Sequence, residues 1–121
     1  MPWIYEQSTG RLYHNGAFVE RGYSGSGSGK NNPAMEGTSN VGPIPRGDYQ
    51  IGAPFTHPHA GAHTMRLTPV NSTYTYGRNG FMIHGDSRAH PGHASNGCVI
   101  EGRLTRDKIW NSGDHILKVV R

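Results

Sequence analysis

The sequence predicts a mainly β domain that carries one short helix near its C-terminus. Glycine supplies 18 of the 121 residues, about twice its usual share of roughly 7%, and eight prolines accompany it. This composition favours tight turns over long helices. Short runs of alternating apolar and polar residues separate the turns, as expected for half-buried strands. A chain of this length, residues 1–121, is expected to form a single domain with one modest core.

The first third of the chain is typical of a β-meander. Residues 3–7 and 11–14 are short strand-like runs that are rich in aromatic residues. The pair Asn15-Gly16 then predicts a tight hairpin turn, and a third strand follows over 17–23. The Ser/Gly-rich segment 24–33 predicts a mobile surface loop between strands.

The rest of the chain predicts short strands, turns and one helix. The helix is expected at about 104–111, with Thr105 as its N-cap and Ser112-Gly113 as its stop signal. The stretch 54–63 is rich in Pro, His and Gly, and it predicts a loop. The expected strands are 48–52, 64–68, 81–83 and 115–120.

Charge and composition exclude several classes of protein. The formal net charge is +4, but no two Lys or Arg residues are adjacent, which disfavours nucleic-acid binding. A basic surface is compatible with an anionic wall polymer. A single cysteine excludes a disulfide scaffold. The N-terminus lacks the features of a Sec signal and no apolar run reaches membrane-spanning length, so we expect synthesis in the cytoplasm and no membrane insertion.

The single cysteine, Cys98, lies at the boundary between a polar Ser-Asn-Gly turn and an apolar Val-Ile run. A strand can hold an exposed thiol rigidly at such a boundary. A preceding glycine lets the backbone approach a substrate carbonyl, so the amides of Gly97 and Cys98 are candidates for an oxyanion hole. Ser95 is expected to brace the turn through its hydroxyl. A lone cysteine is more often an inert small hydrophobe, and both interpretations stay open on these residues alone.

His84 is the candidate base for this thiol. It follows the apolar run 81–83, so it is expected at the end of a buried strand, with Gly85 leaving room around it. A thiol needs a neighbouring base to become a nucleophile near neutral pH, and histidine is the usual one. The other ring nitrogen needs an acceptor, for which a nearby backbone carbonyl and Asp86 are both candidates.

Several segments resemble a known family. His-Gly at 84–85, followed by Ser-Asn-Gly-Cys-Val at 95–99, is similar to the L,D-transpeptidase (YkuD-type) signature, in which His-Gly precedes Ser/Thr-His-Gly-Cys. The Tlde1-type effectors of type VI secretion resemble the chain more closely, along nearly its whole length. The shared segments are residues 5–13, the end of the Ser/Gly loop at 29–33, Gly-Pro-Ile-Pro-Arg-Gly at 42–47 and Phe-Met-Ile-His-Gly-Asp at 81–86.

This resemblance implies a YkuD-like β-sandwich with Cys98 as nucleophile, His84 as base and the carbonyl of Gly85 as its orienter. The enzyme would cut between meso-diaminopimelate and D-Ala in the tetrapeptide stems of peptidoglycan, through an acyl-enzyme. Water as acceptor gives L,D-carboxypeptidase activity, a free D-amino acid gives exchange, and a second stem gives a crosslink. The resemblance also implies type VI delivery to the periplasm of a target cell, a cognate immunity protein, and no cofactor or metal.

Two positions depart from the wider signature. Asn96 replaces a second histidine, and Ile100 replaces an arginine or asparagine. The substrate carboxylate therefore needs other partners, and cationic side chains are the usual ones. The residues expected to contact the substrate are Asp86, Ser95, Asn96 and Arg88, with Arg46 and Lys30 as further candidates for the carboxylate.

Two other interpretations of the chain stay open. The departures from the signature argue for a non-catalytic wall-binding module with the same fold. The alternative is a cytosolic thiol or metal protein, although the Pro/Gly-rich setting favours a solvated loop over a zinc site. The histidines concerned are His57, His59 and His63, with His90 and His93 further along. A catalytic Cys98 is expected to have a pKa well below the free value of roughly 8.5.

Overall fold

The structure, a computed structural model, describes residues 1–121 and contains ten strands and one α-helix. The strands form a mixed sheet in the order β3-β2-β1-β10-β5-β7-β8-β9-β4, and β6 pairs with β7 beside this path. The mainly β prediction is confirmed. The elements are β1 (Trp3–Glu6), β2 (Arg11–His14), β3 (Ala17–Arg21), β4 (Tyr23–Ser24), β5 (Gly47–Ile51), β6 (Phe55–His57), β7 (Gly61–Val70), β8 (Met82–His84), β9 (Val99–Ile100), α1 (Arg103–Asn111) and β10 (Ile116–Val120), with short 3-10 turns at Gly27–Gly29 and Pro33–Met35.

The N-terminal meander has the predicted turn. β2 and β3 are antiparallel and pair His14 with Ala17, so that only Asn15 and Gly16 connect them. Both turn residues have positive φ, 52° and 79°, and Asn and Gly adopt this conformation at low cost. β1 pairs with β2 on one side and runs parallel to β10 on the other, which brings the two ends of the chain together at the centre of the sheet.

The core lies where β1, β10, β5 and β7 run side by side. Helix α1 covers it with Ile109, which is fully buried. Ile83 of β8 and Val99 of β9 belong to the same apolar cluster. Burial of each large apolar side chain stabilises the fold by about 1.5–3 kcal/mol, so both short strands are firmly anchored. The cluster consists of Trp3, Tyr5, Leu12, Ile44, Tyr49, Ile51, Met65, Leu67, Phe81, Ile83, Val99, Ile109, Leu117 and Val119.

Helix α1 is capped differently from the prediction. Gly102 is its N-cap, and its carbonyl accepts the first helical hydrogen bond, from the N–H of Arg106 at 3.0 Å. The prediction of Thr105 as the N-cap is wrong, because Thr105 already lies buried inside the first turn. The helix ends at Ser112 and Gly113 as predicted, and the φ of 77° at Gly113 suits that stop. No helix in the chain has the length and apolarity needed to cross a membrane.

The predicted loop at 54–63 is instead a β-hairpin. β6 and β7 pair Phe55 with Thr64 and His57 with Gly61, with an irregularity between these pairs. β7 is ten residues long rather than five, because its first half pairs with β6 and its second half pairs with β5. The Pro, His and Gly residues of this stretch conceal the strand pattern. The hairpin matters for function because its tip reaches the candidate site.

The Ser/Gly-rich segment also differs from the predicted surface loop. Ser24 and Gly29 are buried. The hydroxyl of Ser24 accepts a hydrogen bond from the N–H of Ile44 at 2.9 Å and donates to the carbonyl of Gly97 at 3.2 Å. A Cβ on Gly29 would overlap the carbonyl of Val41. Small residues here allow a close approach of backbones, which supports the turn next to the candidate nucleophile.

Candidate active site

His84 ends β8, Cys98 immediately precedes the adjacent parallel strand β9, and both side chains point to the same side of the sheet. The register pairs Ile83 with Val99, so Cys98, immediately before β9, is level with Met82 at the start of β8. Side chains alternate along a strand, and Ile83 and Val99 face the core, so their neighbours face the other way. Cys98 and His84 are therefore diagonal neighbours on one face.

Both side chains line a cleft of about 510 Å³. This volume falls within the range of roughly 300–1,000 Å³ that is usual for small-ligand sites. The cleft is bounded by β8, the turn before Cys98, the segment 77–81 and the tip of the β6–β7 hairpin. The polar side chains that line it, apart from His84 and Cys98, are Ser39, Asn40, His57, His59, Arg78, Asn79 and Asn96.

His84 has one defined tautomer. Its Nδ1 lies 2.8 Å from the carbonyl oxygen of Gly85, and its side chain is 6% exposed. A carbonyl can only accept a hydrogen bond, so Nδ1 carries the proton and Nε2 is the free acceptor. Burial lowers the pKa of His84, and the Gly85 carbonyl opposes this effect only in part. The imidazole is therefore neutral near pH 7 and available as a base at Nε2.

The thiol of Cys98 rests in its protonated form. Burial raises the pKa of Cys98, while a hydrogen bond from the backbone of Met82 and the charge of Arg78 lower it by less. Sγ also lies 3.8 Å from the carbonyl oxygen of Gly80, to which the thiol can donate. A lowered pKa is what a catalytic Cys98 is expected to show, and burial acts against it. At rest the site therefore holds a neutral thiol and a neutral imidazole.

Ser95 fixes the turn before Cys98. Its hydroxyl is buried; it accepts from the N–H of Gly25 at 2.9 Å and of Gly97 at 3.1 Å, and it donates to the Cys98 carbonyl at 2.6 Å. All of its hydrogen-bonding capacity is used, so Ser95 braces the nucleophile and has none left for the predicted substrate contact. Gly97 likewise does not have the predicted role of oxyanion donor, because its N–H is engaged. The N–H of Cys98 makes no hydrogen bond within the protein.

Arg78 is a cation of the site that the sequence analysis missed. Its side chain is 8% exposed, and no carboxylate pairs with it. The guanidinium donates to the carbonyl oxygens of Pro43 at 2.8 Å, Gly42 at 2.9 Å and Asn96 at 3.3 Å, and to that of Glu36. Three of these four acceptors lie at least 35 positions earlier in the chain. No local motif marks such an arginine.

Gly97 lets this guanidinium reach the turn before the nucleophile. A Cβ at position 97 would lie 2.5 Å from Nη2 of Arg78, and Gly97 has a φ of 135°. Any other residue would therefore be strained and would displace the arginine. The positive charge held there lowers the pKa of Cys98 and so favours the thiolate once it forms.

Asp86 organises the loop that follows β8. Its carboxylate accepts hydrogen bonds from the hydroxyl of Tyr23 at 2.6 Å and from the N–H of Gly92 at 3.0 Å. Against the effect of burial, these hydrogen bonds lower the pKa of Asp86. Asp86 neither orients His84, whose acceptor is the carbonyl of Gly85, nor lines the cleft. Its predicted contact with substrate is therefore replaced by a structural role.

The cations expected to bind the substrate carboxylate lie outside the cleft. Arg46 pairs with Glu36 at 2.6 Å, and Lys30 donates to a loop carbonyl at 3.2 Å. Arg88 is exposed in the loop after β8. Of the four residues expected to contact substrate, Asn96 alone lines the cleft.

The histidine-rich stretch contributes to the cleft, contrary to its interpretation as a solvated loop. His57 is half-buried in the cleft wall, and its Nδ1 accepts hydrogen bonds from the N–H groups of His59 and Ala60, both at 3.0 Å. His63 instead lies 3.0 Å from Asp107. No group of three or more His, Cys, Asp or Glu side chains is close enough together to hold a metal ion.

The site lies within a recognisable domain. A family model of the Tlde1 domain matches residues 19–118, a span that includes both His84 and Cys98. A search of curated proteins and a search of solved structures each found no match. The Tlde1 domain suggests a family of type VI secretion effectors. Because the match covers well over half of the chain, the protein belongs to the Tlde1 domain family.

Proposed function

We propose that the protein is a cysteine enzyme that cuts or exchanges peptide bonds in peptidoglycan stem peptides. One observation carries the proposal: Cys98 and a tautomer-locked His84 are diagonal neighbours on one face and line one cleft. A nucleophile, its base and a group that orients the base form the arrangement used in acyl transfer. The resemblance of the motifs to L,D-transpeptidases supports the choice of bond, between meso-diaminopimelate and D-Ala.

The proposed chemistry follows from the tautomer of His84 and the protonated thiol of Cys98. Nε2 of His84 takes the proton from Sγ of Cys98 as the sulfur attacks the carbonyl carbon of the scissile amide. The N–H of Cys98 is the free donor for the oxyanion that forms. When the C–N bond breaks, His84 returns the proton to the amine of the departing D-Ala, and the stem remains as a thioester on Cys98.

The acceptor decides the outcome of the second step. Water attacks the thioester, His84 accepts its proton, and a tripeptide stem with a new carboxylate leaves as the thiol is restored. The amine of a free D-amino acid attacks in the same way and gives exchange, and the amine of a second stem gives a crosslink. All three reactions share one acyl-enzyme, so the same two residues serve each of them.

The finer fold and the place of action belong to the same proposal. We infer that the mixed sheet is a YkuD-like β-sandwich, and that the protein is an antibacterial toxin acting in the periplasm of a target cell. Delivery by type VI secretion is supported by membership of the Tlde1 domain family. A cognate immunity protein that binds the cleft and protects the producing cell is the partner expected for such a toxin.

Purified sacculi test the proposal directly. The wild-type protein is incubated with sacculi, with and without a free D-amino acid, and the muropeptides are then separated. We expect conversion of tetrapeptide stems into tripeptide or exchanged stems. Cys98→Ala and His84→Ala should each lower the rate by about 10³-fold or more, because each removes a member of the catalytic pair.

The control is His90→Ala, which removes an exposed histidine of the loop after β8. Circular dichroism of each variant establishes that the fold is retained, and the control should convert stems at the wild-type rate. Conversion by Cys98→Ala at the wild-type rate would exclude the proposed mechanism.

A non-catalytic wall-binding module is the second candidate, and the raised pKa of Cys98 favours it. In that case the protein binds sacculi, the muropeptides stay unchanged, and Cys98→Ala binds as well as the wild type. Alkylation by iodoacetamide at pH 7 separates the two. If His84 is the base, His84→Ala slows alkylation of Cys98 by about tenfold or more, since thiolate formation then lacks its proton acceptor.

A further inference from the structure

The cleft lacks an obvious partner for the substrate carboxylate. Arg78 is the cation that lines it, and its guanidinium is already bonded to four carbonyl oxygens. A tetrapeptide stem carries a free carboxylate on its terminal D-Ala, directly beyond the scissile amide. Because the Nη donors of Arg78 are committed to backbone carbonyls, uncharged hydrogen-bond donors of the cleft are the better candidates for binding that carboxylate.

His57, on the β6–β7 hairpin, presents such a donor. Its Nδ1 accepts two backbone N–H groups of its own turn, so in the neutral ring the proton is on Nε2. The turn occupies the Nδ1 edge of the ring, and no hydrogen bond within the protein engages Nε2. The residue is half-buried in the cleft wall. Its unused group is thus an N–H that borders the cleft.

Of the three imidazoles that line the cleft, those of His84 and His57 therefore have opposite roles. His84 presents a bare Nε2 that accepts a proton, whereas His57 presents an Nε2–H that donates a hydrogen bond. Both rings line the same cleft. A small substrate held next to Cys98 can therefore meet both the donor on His57 and the base on His84.

We propose that Nε2–H of His57 binds the terminal carboxylate of the stem peptide, the contact for which Asn96 and Ile100 offer no cationic side chain. The inference rests on the proposed function for the identity of the substrate. Hydrogen bonds to a carboxylate are roughly twice as strong as those between neutral groups, so a neutral imidazole is a sufficient donor. A free D-amino acid that enters as acceptor carries the same carboxylate, so the same group would orient it in exchange.

The test compares two thiol reagents that differ in charge. Iodoacetate carries a carboxylate next to its reacting carbon, and iodoacetamide is its neutral analogue. We measure the rate at which each alkylates Cys98 in the full chain. His57→Asn keeps an acceptor for the turn but removes the Nε2–H. It should slow iodoacetate by about tenfold and change the iodoacetamide rate by less than about twofold.

Two further variants make the result specific. His57→Gln replaces the imidazole N–H with an amide N–H and should keep a larger share of the iodoacetate rate than His57→Asn does. Arg88→Gln removes the exposed loop cation and should leave both rates unchanged, because Arg88 lies outside the cleft. Equal slowing of both reagents in His57→Asn, or slowing of iodoacetate in Arg88→Gln alone, would overturn the inference.

Protection by ligand links the contact to the substrate. D-Alanine should protect wild-type Cys98 from iodoacetamide, D-alaninamide should not, and the protection should be lost in His57→Asn. Equal protection by both compounds would overturn the assignment of the carboxylate. None of these readouts needs turnover, so inactivity on sacculi together with a selective effect of His57→Asn would reject the proposed enzyme and leave the carboxylate contact in place.

Discussion

The two sides of the cleft are constructed in different ways. On the nucleophile side, Ser95 and Arg78 are buried and commit their hydrogen bonds to backbone groups around Cys98. On the hairpin side, β6 pairs with one strand alone and His59 is exposed. A Cβ on Gly61, near the hairpin tip, would meet no atom within 4 Å. The turn that carries Cys98 is thus held by a buried polar network, whereas the opposite wall has room to adjust to a ligand.

This difference assigns separate tasks to the two sides. A nucleophile must keep its position relative to its base, and fully satisfied buried networks give that rigidity. Under the proposed function, the hairpin side has to admit a stem peptide that is still attached to a polymer, and few packing contacts let it do so. We therefore expect substitutions on the nucleophile side to affect stability and thiol reactivity together, and substitutions on the hairpin side to affect recognition.

Replacement of Arg78 should have the largest effect. Arg78→Met leaves four carbonyl oxygens without their donor, and three of these bonds tie the 36–43 segment to the cleft. We expect the free energy of unfolding, measured by urea denaturation, to fall by about 3–5 kcal/mol. Alkylation of Cys98 should also slow, since the charge that lowers its pKa is lost.

Arg88→Met is the matched control for this substitution. Arg88 is exposed, so its loss should change stability by less than about 0.5 kcal/mol. If Arg78→Met were no more destabilising than this control, the nucleophile side would not depend on the buried guanidinium.

Ser95→Ala should have the second largest effect. The substitution leaves the buried N–H groups of Gly25 and Gly97 without an acceptor, which costs about 2 kcal/mol of unfolding free energy. Thr56→Ala removes an exposed hydroxyl on the hairpin and should cost less than about 0.5 kcal/mol. Thermal unfolding of both variants measures the contrast, and equal losses would remove the distinction between the two sides.

Most of the strands and the positions of His84 and Cys98 could be predicted because their signals are local. Asn15 and Gly16 favour the positive φ angles of a hairpin turn by themselves. The apolar run 81–83 likewise predicts, without the rest of the chain, that His84 lies at a strand end. The position of Cys98 beside a Ser-Asn-Gly turn is equally local. Such features can be predicted from a sequence because neighbouring residues alone determine them.

The rest of the site depends on contacts that are distant in sequence. Carbonyl groups of the 36–43 segment fix the position of the Arg78 guanidinium. Every residue type has a backbone carbonyl, so the sequence does not indicate which ones bind an arginine. His57 enters the cleft because β7 is long enough to pair with both β5 and β6, a property of the assembled sheet. The Ser/Gly-rich segment has the composition of a linker, yet its small residues serve close packing against Val41.

A buried carboxyl group opposes stability on the nucleophile side. Glu101 follows β9 and is 2% exposed, and no donor of the protein reaches its carboxyl oxygens; in its protonated form it can donate to the neighbouring carboxylate of Glu20. Burial, and then the neighbouring carboxylate of Glu20, raise the pKa of Glu101 to about 10. The folded protein therefore keeps this proton across a range in which the unfolded chain, with the ordinary value of 4.5, has released it.

Stability should consequently fall as the pH rises from about 5 to 8, because the folded state binds more protons than the unfolded state over that range. Glu101→Gln removes this linkage while keeping the shape of the side chain. We expect the unfolding free energy of the wild type to fall between pH 5 and pH 8 and that of Glu101→Gln to change much less. Urea denaturation at pH 5 and pH 8 measures both quantities. Parallel pH profiles for the two proteins would mean that Glu101 is ionised in the folded state, and the nucleophile side would then hold a buried charge rather than a buried acid.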